Sequence, residues 1–335
     1  MRDALAEARR GVGRTSPNPP VGAVVVAGGR AIGRGWHRRA GLPHAEREAL
    51  ADAVRRTGAG SLRGATVYVT LEPCSTTGRT PPCTEALIEA GCRRVVWGST
   101  DPNPRHAGRA EQVLAEAGVE VCPGVLAGEC DALIRGFSMV QREGRPWVVV
   151  KSAMGLDGRL TRPPGEGQWL TGSEARHEVQ RIRSEVDAVI TSGETLRRDD
   201  PALTIRVPEF LEGREQPLRV VLTRDPASLP PGARVFQDDW KDRTLVRGGD
   251  LREILRELAE ARGCCTVMLE AGGRLAGEFV DHGLADEMIV FLAPMVTGGD
   301  VPALGGTGVA GPWKLRGVEF KRFGPDVMTR GIVSR

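Results

Sequence analysis

Three residues that can bind a metal ion, His44, Cys74 and Cys83, place the strongest constraint on what this chain can fold into. Zinc takes nitrogen and thiolate ligands in a tetrahedral shell. A structural zinc usually has four protein ligands, whereas a catalytic zinc has three and keeps its fourth position open. The fold must therefore bring two separate segments to one point, and the three ligands predict a catalytic zinc site.

Glu46 follows the histidine by two residues, which suits a general acid and base that stands beside the metal without binding it. Nucleobase deaminases have this arrangement, with a His-x-Glu segment and a Pro-Cys-x-x-Cys segment. Here residues 75–82 separate the two cysteines. We interpret the site as that of a zinc deaminase with an inserted loop. The simpler interpretation, a satisfied histidine and buried free cysteines, leaves the coincidence of four such residues unexplained.

The length of 335 residues predicts two domains, at 1–143 and 147–335, joined by a polar linker within 141–146. A net charge of +3 is too small to indicate nucleic-acid binding, and no apolar run is long enough to span a membrane. The N-terminus lacks the apolar core of a signal peptide. The seven cysteines lack the spacing of a disulfide framework. We therefore expect a reducing, cytoplasmic environment.

Strands and helices alternate through the first domain, which predicts a three-layer α/β/α fold. A hairpin turn at 28–29 is expected between the first two strands. Helices are expected to begin at His44 and, opened by Pro82, at Cys83. The predicted elements are helices at 2–10, 44–57, 83–90 and 109–117 and strands at 23–27, 31–36, 65–70, 94–98 and 119–122.

The second half alternates in the same way and is expected to form another α/β domain. Ser173 is expected to cap a helix that runs to about Ser184. A glycine-rich loop at 270–277 leads from a strand to a helix, where its N–H groups could approach a phosphate or its glycines could serve close packing. The other predicted elements are strands at 147–152, 187–191, 220–222, 244–246, 266–269 and 285–291, a helix at 251–261 and an exposed loop at 298–311.

Motifs along nearly the whole chain resemble those of the RibD family of riboflavin biosynthesis, in which a pyrimidine deaminase is fused to a pyrimidine reductase. The resemblance implies a cytidine-deaminase-like first domain and a dihydrofolate-reductase-like second domain. The deaminase motifs lie at 15–22, 44–46, 70–74, 78–83 and 101–104, and the reductase motifs at 156–158, 168–169, 199–204 and 270–272.

For the first domain, the resemblance implies a zinc-dependent hydrolysis that removes the 2-amino group of 2,5-diamino-6-(5-phosphoribosylamino)pyrimidin-4-one as ammonia. Glu46 would take a proton from the attacking water and pass it to the leaving amine. The residues that would hold the substrate are Asn18, Arg79 and Asn103. The planar guanidinium of Arg79 suits the ribose phosphate.

For the second domain, the resemblance implies reduction of the ribosyl chain to ribityl by NADPH, with catalysis dominated by positioning. It also implies a homo-oligomer, a dimer or tetramer, that associates through the reductase domain. The residues near NADPH would be Ala153, Trp169, Thr195, Asp199, Gly272, Gly273, Arg274, Leu275, Ala276, Gly277 and Glu278. The residues near the pyrimidine nucleotide would be Gly167, Arg183, Leu203, Arg206 and Glu270. For each arginine alone, the alternative is a solvated surface charge.

Four positions depart from the family pattern. Thr76 stands where histidine is usual, and Gly155, Gly167 and Arg224 each stand where serine is usual. These departures leave the zinc ligands and Glu46 intact, but they put one deaminase contact and the reductase activity in doubt.

Three alternatives therefore remain open at the level of the sequence. The chain could be a deaminase whose second domain binds a nucleotide without reducing this substrate. It could be a nucleic-acid base deaminase, which the near-neutral charge and the aromatic fraction of 4% disfavour. It could also be a non-catalytic scaffold, which a fourth protein ligand on the zinc would favour.

Overall fold

The computed structural model describes residues 1–76, 81–104, 106–162, 169–306 and 313–334. The chain divides into two compact units, Met1–Gly144 and Arg145–Arg335. Both units are α/β, as predicted. None of the described helices is long and apolar enough to cross a bilayer.

The first unit has a five-stranded sheet in the order β2-β1-β3-β4-β5. β1 is antiparallel to both of its neighbours, whereas β3, β4 and β5 run parallel. The strands are β1 (Gly22–Ala27), β2 (Arg30–Trp36), β3 (Thr66–Leu71), β4 (Arg94–Ser99) and β5 (Glu120–Cys122). The helices are α1 (Arg2–Arg9), α2 (Ala45–Thr57), α3 (Cys83–Glu89), α4 (Arg109–Glu116), α5 (Ala127–Leu133) and α6 (Arg135–Glu143).

Two glycines of β2 allow α2 to pack close to the sheet. A Cβ at Gly33 would lie 2.3 Å from the carbonyl oxygen of Ala49, and a Cβ at Gly35 would lie 2.3 Å from its nitrogen. Any side chain at these positions would push the helix away. This packing fixes the N-terminal end of α2, where His44 and Glu46 lie.

The second unit has an eight-stranded sheet in the order β12-β13-β11-β6-β10-β7-β8-β9. The strands from β11 to β9 are parallel, and β13 is antiparallel to β11 and β12. The strands are β6 (Trp147–Met154), β7 (Ala188–Ser192), β8 (Leu218–Leu222), β9 (Thr244–Arg247), β10 (Thr266–Leu269), β11 (Glu287–Leu292), β12 (Lys314–Phe323) and β13 (Asp326–Ser334). The helices are α7 (Ser173–Arg183), α8 (Gly193–Asp199), α9 (Pro208–Leu211), α10 (Arg234–Gln237), α11 (Leu251–Glu260) and α12 (Gly273–Asp281).

The central strand β6 is buried on both faces. Val148 and Val150 belong to one hydrophobic cluster, and Val149 belongs to another on the opposite face of the sheet. Parallel sheets covered by helices on both faces have such continuous apolar strands. This buried strand anchors the centre of the second sheet.

Several local predictions were wrong. Residues 141–143, expected in a linker, are the last turn of α6. Gly172 rather than Ser173 is the N-cap of α7, and no side chain caps that helix. By contrast, α3 begins at Cys83 as predicted, with Pro82 as its N-cap. The loop expected at 298–311 is observed as far as residue 306, and its remainder lies outside the described residues.

Two candidate active sites

His44, Cys74 and Cys83 meet in the first unit, where their ligand atoms all lie within 4.8 Å of one another. His44 Nδ1 is 3.5 Å from Cys74 Sγ and 3.4 Å from Cys83 Sγ. Zinc bonds of about 2.3 Å to sulfur and 2.0–2.1 Å to nitrogen put these atoms about 3.5 Å apart in a tetrahedral shell. The donor types and their spacing therefore fit zinc.

The ends of secondary-structure elements bring these ligands together. His44 is the extended N-cap of α2, Cys83 is the first residue of α3, and Cys74 lies in the loop after β3. The Cys83 backbone N–H donates to Cys74 Sγ at 3.3 Å, and the Thr84 N–H donates to the Cys74 carbonyl at 3.2 Å. The loop and the helix start thus hold each other before any metal binds.

The cluster already favours one thiolate. The hydrogen bond from the Cys83 thiol, helped by His44 and the Cys83 N–H, lowers the pKa of Cys74 to about 4. Thiolate is the form of cysteine that binds metals. Burial and the same hydrogen bond raise the pKa of Cys83, so its proton must leave when a metal binds.

Glu46 is 3% exposed and lies in the first turn of α2, next to these ligands. Burial, followed by the negative charge of Cys74, raises the pKa of its carboxyl group. A raised pKa makes a carboxyl group better able to take up a proton and to hold it until it is returned. Its burial and its place beside the ligands are what the predicted role requires, and the role itself stays a prediction.

His37 was missed at the level of the sequence, and it holds Asn18. Its Nδ1 is 3.1 Å from the Pro43 carbonyl oxygen, and its Nε2 is 3.0 Å from Asn18 Nδ2. Because a carbonyl only accepts, Nδ1 carries the proton and Nε2 accepts from the Asn18 amide. The rings of His37 and His44 meet edge to face, with centroids 5.3 Å apart. The one sequence signal for this contact was that His37 directly follows β2, whose end pairs with the start of β1 next to the loop that contains Asn18.

Of the other two predicted deaminase contacts, only one lies within the described residues. Asn103 lies in the loop after β4, and Arg79 lies outside the described residues. Thr76, which replaces the usual histidine, is 3.0 Å from Nδ1 of His106 through its hydroxyl oxygen. An imidazole from the Asn103 loop therefore contacts the side chain at this position.

In the second unit, predicted site residues meet at the carboxyl ends of three neighbouring parallel strands. Ala153 is near the end of β6, Thr195 follows β7 in the first turn of α8, and Glu270 follows β10. Ligands of open α/β sheets commonly bind at such an edge. Thr195 Oγ1 accepts the Gly272 N–H at 3.2 Å, which joins two of the predicted cofactor segments.

Arg183 and Glu270 form a buried ion pair. Arg183 donates from Nε and Nη2 to Glu270 Oε1 at 3.0 and 2.7 Å, and from Nη1 to the Thr204 carbonyl at 2.6 Å. Lys151 Nζ lies 3.7 Å from the other oxygen of Glu270. Burial raises the pKa of Glu270, but the charges of Arg183 and Lys151 outweigh it and lower the pKa overall. Arg183 is therefore not a solvated surface charge.

Arg206 is exposed, in contrast to Arg183. Its backbone N–H donates to Gln180 Oε1 at 2.6 Å, and partial burial together with the charge of Arg183 lowers the pKa of its guanidinium. Leu203, nearby in the chain, is buried with a φ of +55°. A non-glycine residue in this region is strained, which is common at functional sites.

The glycine-rich loop serves packing at two positions and leaves a third one open. A Cβ at Gly273 would lie 1.9 Å from the Pro302 carbonyl oxygen, and one at Gly277 would lie 1.0 Å from that of Gly305. A Cβ at Gly272 would meet only Thr195 Oγ1, at 4.0 Å. No side chain caps the N-terminus of α12. The N–H groups of its first turn therefore fit a cofactor phosphate.

The remaining predicted reductase positions are less enclosed. Trp169 is 56% exposed, and the guanidinium of Arg176 lies 5.2 Å from its ring centroid. Asp199 ends α8, and burial raises the pKa of its carboxyl group. Gly167 lies outside the described residues.

Gly155 has no room for the serine that is usual in the family. A Cβ there would lie 2.6 Å from Thr297 Cγ2 and 2.8 Å from the Met295 carbonyl oxygen. Asp157 holds the same loop, since its Oδ2 accepts the Thr297 N–H at 3.0 Å and the Gly298 N–H at 2.8 Å. The glycine is thus matched to a close approach of this loop.

Two family models match the chain. The RibD C-terminal domain matches residues 146–329, and the cytidine and deoxycytidylate deaminase zinc-binding region matches residues 1–99. The two matches correspond to the two units and to the two sites described above.

Full-length relatives and solved structures give the same result. RibD of Escherichia coli is 40% identical, with 98% of this chain and 96% of that protein covered, and RibD of Mycobacterium tuberculosis is 39% identical, with 94% and 91% covered. A structure of Acinetobacter baumannii RibD has a TM-score of 0.89 at 36% identity, covering 100% of this chain and 98% of that one. A diaminohydroxyphosphoribosylaminopyrimidine deaminase/5-amino-6-(5-phosphoribosylamino)uracil reductase from Thermotoga maritima has a TM-score of 0.88 at 35% identity, covering 100% and 97%. The chain therefore belongs to the RibD family of riboflavin biosynthesis, in which a zinc-dependent deaminase and an NADPH-dependent reductase share one polypeptide.

Proposed function

We propose that the first unit hydrolyses the 2-amino group of 2,5-diamino-6-(5-phosphoribosylamino)pyrimidin-4-one. The observation that carries this proposal is a buried Glu46 beside a His44, Cys74 and Cys83 cluster whose spacing fits zinc. Zinc bound there would act as a Lewis acid that lowers the pKa of water to near neutral. Glu46 takes the proton of the attacking water and returns it to the departing amine, so ammonia leaves as a neutral molecule.

The substrate ring is held by amide groups on two loops. Asn18 donates one amide N–H to His37, and this hydrogen bond fixes the orientation of the Asn18 amide. The carbonyl oxygen and the second N–H of Asn18 would then contact the substrate ring. Asn103 belongs to the loop that follows β4 and contributes the second amide. Arg79 binds the ribose phosphate, a role that its fork of donors suits.

We propose that the second unit reduces the ribosyl chain of the deaminated product to ribityl, for which NADPH bound there would supply a hydride at C1′ of the opened sugar. The cofactor would lie along the segment from Gly272 to Glu278, with a phosphate at the first-turn N–H groups of α12 and with Gly273 and Gly277 serving close packing. Thr195, which accepts the Gly272 N–H, and Asp199 would also contact the cofactor. Ala153 and Trp169 would also contact the cofactor. Glu270, Arg183, Leu203, Arg206 and Gly167 hold the pyrimidine nucleotide. Positioning carries this step, because it needs no covalent nucleophile.

Two assays of the purified, zinc-loaded protein test the proposal. Ammonia release from the diaminopyrimidine nucleotide tests the first site, and NADPH oxidation with the deaminated ribosylaminouracil phosphate tests the second. Turnover in both assays is expected. Ammonia release without NADPH oxidation would overturn the reductase half and leave a deaminase joined to a domain of another purpose.

The proposal extends to location and assembly. Seven free cysteines support a reducing compartment such as the cytoplasm. The edge strand β12 exposes 72% of Phe320 and 41% of Val318, which supports a homo-oligomer formed through the reductase unit. Light scattering of the full chain tests the assembly, and a monomer at micromolar concentration would contradict it.

A further inference from the structure

One short segment, Glu72–Thr76, carries the metal ligand Cys74 at its centre and hydrogen-bonds a second loop from both of its ends. This second loop leads from β4 into the first turn of α4, is described at residues 101–104 and 106–110, and contains Asn103. We propose that Glu72 is a positioning residue of the deaminase, which fixes this second loop relative to the metal ligands so that Asn103 meets the substrate. The inference rests on the proposed function, because it takes Asn103 to be a substrate contact.

Both carboxylate oxygens of Glu72 are used on this loop. Oε2 accepts the Asp101 N–H at 3.2 Å and the Gly108 N–H at 3.1 Å, and Oε1 accepts the Ala110 N–H at 3.1 Å. The donors come from the beginning and the end of the loop, so one carboxylate closes it. Glu72 is only 4% exposed, and its own N–H donates to the Ser99 carbonyl at 2.8 Å. Hydrogen bonds to a buried carboxylate are among the stronger ones in proteins.

The other end of the segment holds the middle of the loop. Thr76, two residues after Cys74, is 3.0 Å from Nδ1 of His106 through its hydroxyl oxygen. The His106 N–H donates to the Asn103 carbonyl at 2.9 Å, and the Asn103 N–H donates to Asp101 Oδ1 at 2.9 Å. The backbone of Asn103 is thus fixed on both sides by residues that the Cys74 segment holds.

Glu72 thus sets the distance between the metal ligands and the loop that contains Asn103, although Glu72 itself binds neither metal nor substrate. Misplacement of a contact by about 1 Å can cost on the order of a hundredfold in rate. Glu72 lies outside the ligand set, so its loss should change how the substrate sits without releasing zinc. A purely structural role would instead lower stability and act independently of Asn103.

The first test replaces Glu72 by glutamine, which has the same shape but cannot accept on both terminal atoms. We expect the KM for the diaminopyrimidine nucleotide to rise about tenfold, the size of one lost charge-assisted hydrogen bond, with a smaller fall in kcat. Zinc content and NADPH oxidation should stay unchanged. Glu111→Gln is the matched control, since Glu111 lies exposed in α4 close to the same loop, and its KM should not change.

A double-mutant cycle with Asn103→Ala separates positioning from stability. If Glu72 acts through Asn103, adding Glu72→Gln to Asn103→Ala should change the KM by less than about twofold. A tenfold rise in both backgrounds would overturn the inference and leave the proposed function intact. Asn103→Ala with wild-type deamination would instead remove Asn103 from the proposed site, and the inference with it.

A second variant covers the case in which Glu72→Gln loses both zinc and reductase activity through misfolding. Ala110→Pro removes one of the three N–H donors to Glu72 at the second residue of α4, where proline is tolerated. We expect this variant to bind zinc and to show a severalfold higher KM. A wild-type KM in this variant would overturn the inference.

Discussion

The two sites of this protein are assembled in different ways. The deaminase cluster forms where two helix starts and one loop meet. Its histidine and two cysteines are a combination that is typical of zinc sites and uncommon elsewhere. The proposed reductase site lies at the ends of three parallel strands, where Ala153, Thr195 and Glu270 are placed by distant parts of the chain. A metal cluster has a specific signature, whereas an edge of a sheet can carry almost any residue.

This difference also predicts how each site fails. In the deaminase, function depends on a few groups that are chemically irreplaceable, so single substitutions should remove activity while the fold survives. In the proposed reductase site, Arg183 and Glu270 form a buried ion pair, and the same two residues are the ones proposed to hold the pyrimidine nucleotide. Substitutions there should affect stability and activity together.

The largest expected effect is on deamination by Glu46→Gln. Loss of a positioned general acid and base typically costs about 10²–10⁴ in rate, and the isosteric amide should leave the metal cluster intact. We expect wild-type zinc content and unchanged NADPH oxidation. The control is Glu48→Gln in the same helix, whose carboxylate lies 3.6 Å from Arg38 at the surface. Ammonia release near the wild-type rate in Glu46→Gln would remove this residue from the mechanism.

The second prediction concerns the metal itself. Cys83→Ser should lower zinc content, measured by elemental analysis, because a serine hydroxyl is a poor replacement for a thiolate ligand. The control is Cys92→Ser, a buried cysteine of the same unit outside the cluster, which should keep its zinc. Full zinc occupancy in Cys83→Ser would mean that another residue provides the third ligand.

The third prediction tests the joint structural and functional role in the reductase. Arg183→Ala leaves Glu270 buried without its main partner, and breaking such a pair costs about 3–5 kcal/mol. We expect earlier denaturant unfolding of the second unit together with weaker binding of the pyrimidine nucleotide. Arg198→Ala, which breaks a half-exposed pair with Glu194, should cost at most about 1 kcal/mol. Weaker nucleotide binding with unchanged stability would show that the pair is not structural.

Much of the fold was predictable because apolar periodicity marks buried strands and amphipathic helices. Two of the elements that were missed, β12 and α5, lack that signal. β12 is exposed over almost its whole length and has charged residues at five of its ten positions. α5 begins after Leu126, which has a left-handed conformation and provides no capping side chain. Both depend on their neighbours: β12 pairs with β13, and α5 packs near β4.

The zinc ligands and Glu46 were predictable because their chemistry is unusual. His37 and Glu72 were not, since a residue that positions another is defined by contacts between distant segments. The glycine-rich loop shows the same limit. The sequence allows both packing and phosphate binding, and only the carbonyl groups of Pro302 and Gly305 assign Gly273 and Gly277 to packing.

The smallest expected effect comes from restoring the family's usual serine at position 155. The new side chain would meet Thr297 Cγ2 and the Met295 carbonyl, so Gly155→Ser should destabilise the second unit by about 1–3 kcal/mol. Gly232→Ser is the control, because that glycine has open space around it and an ordinary backbone conformation, and its cost should stay within about 0.5 kcal/mol. NADPH oxidation should not improve in Gly155→Ser, since the glycine is matched to the loop that Asp157 holds. If Gly155→Ser were more active and equally stable, Gly155 would be a residue that weakens the reductase. A substitution in the reductase would then change activity without changing stability, as is expected for substitutions at the zinc site.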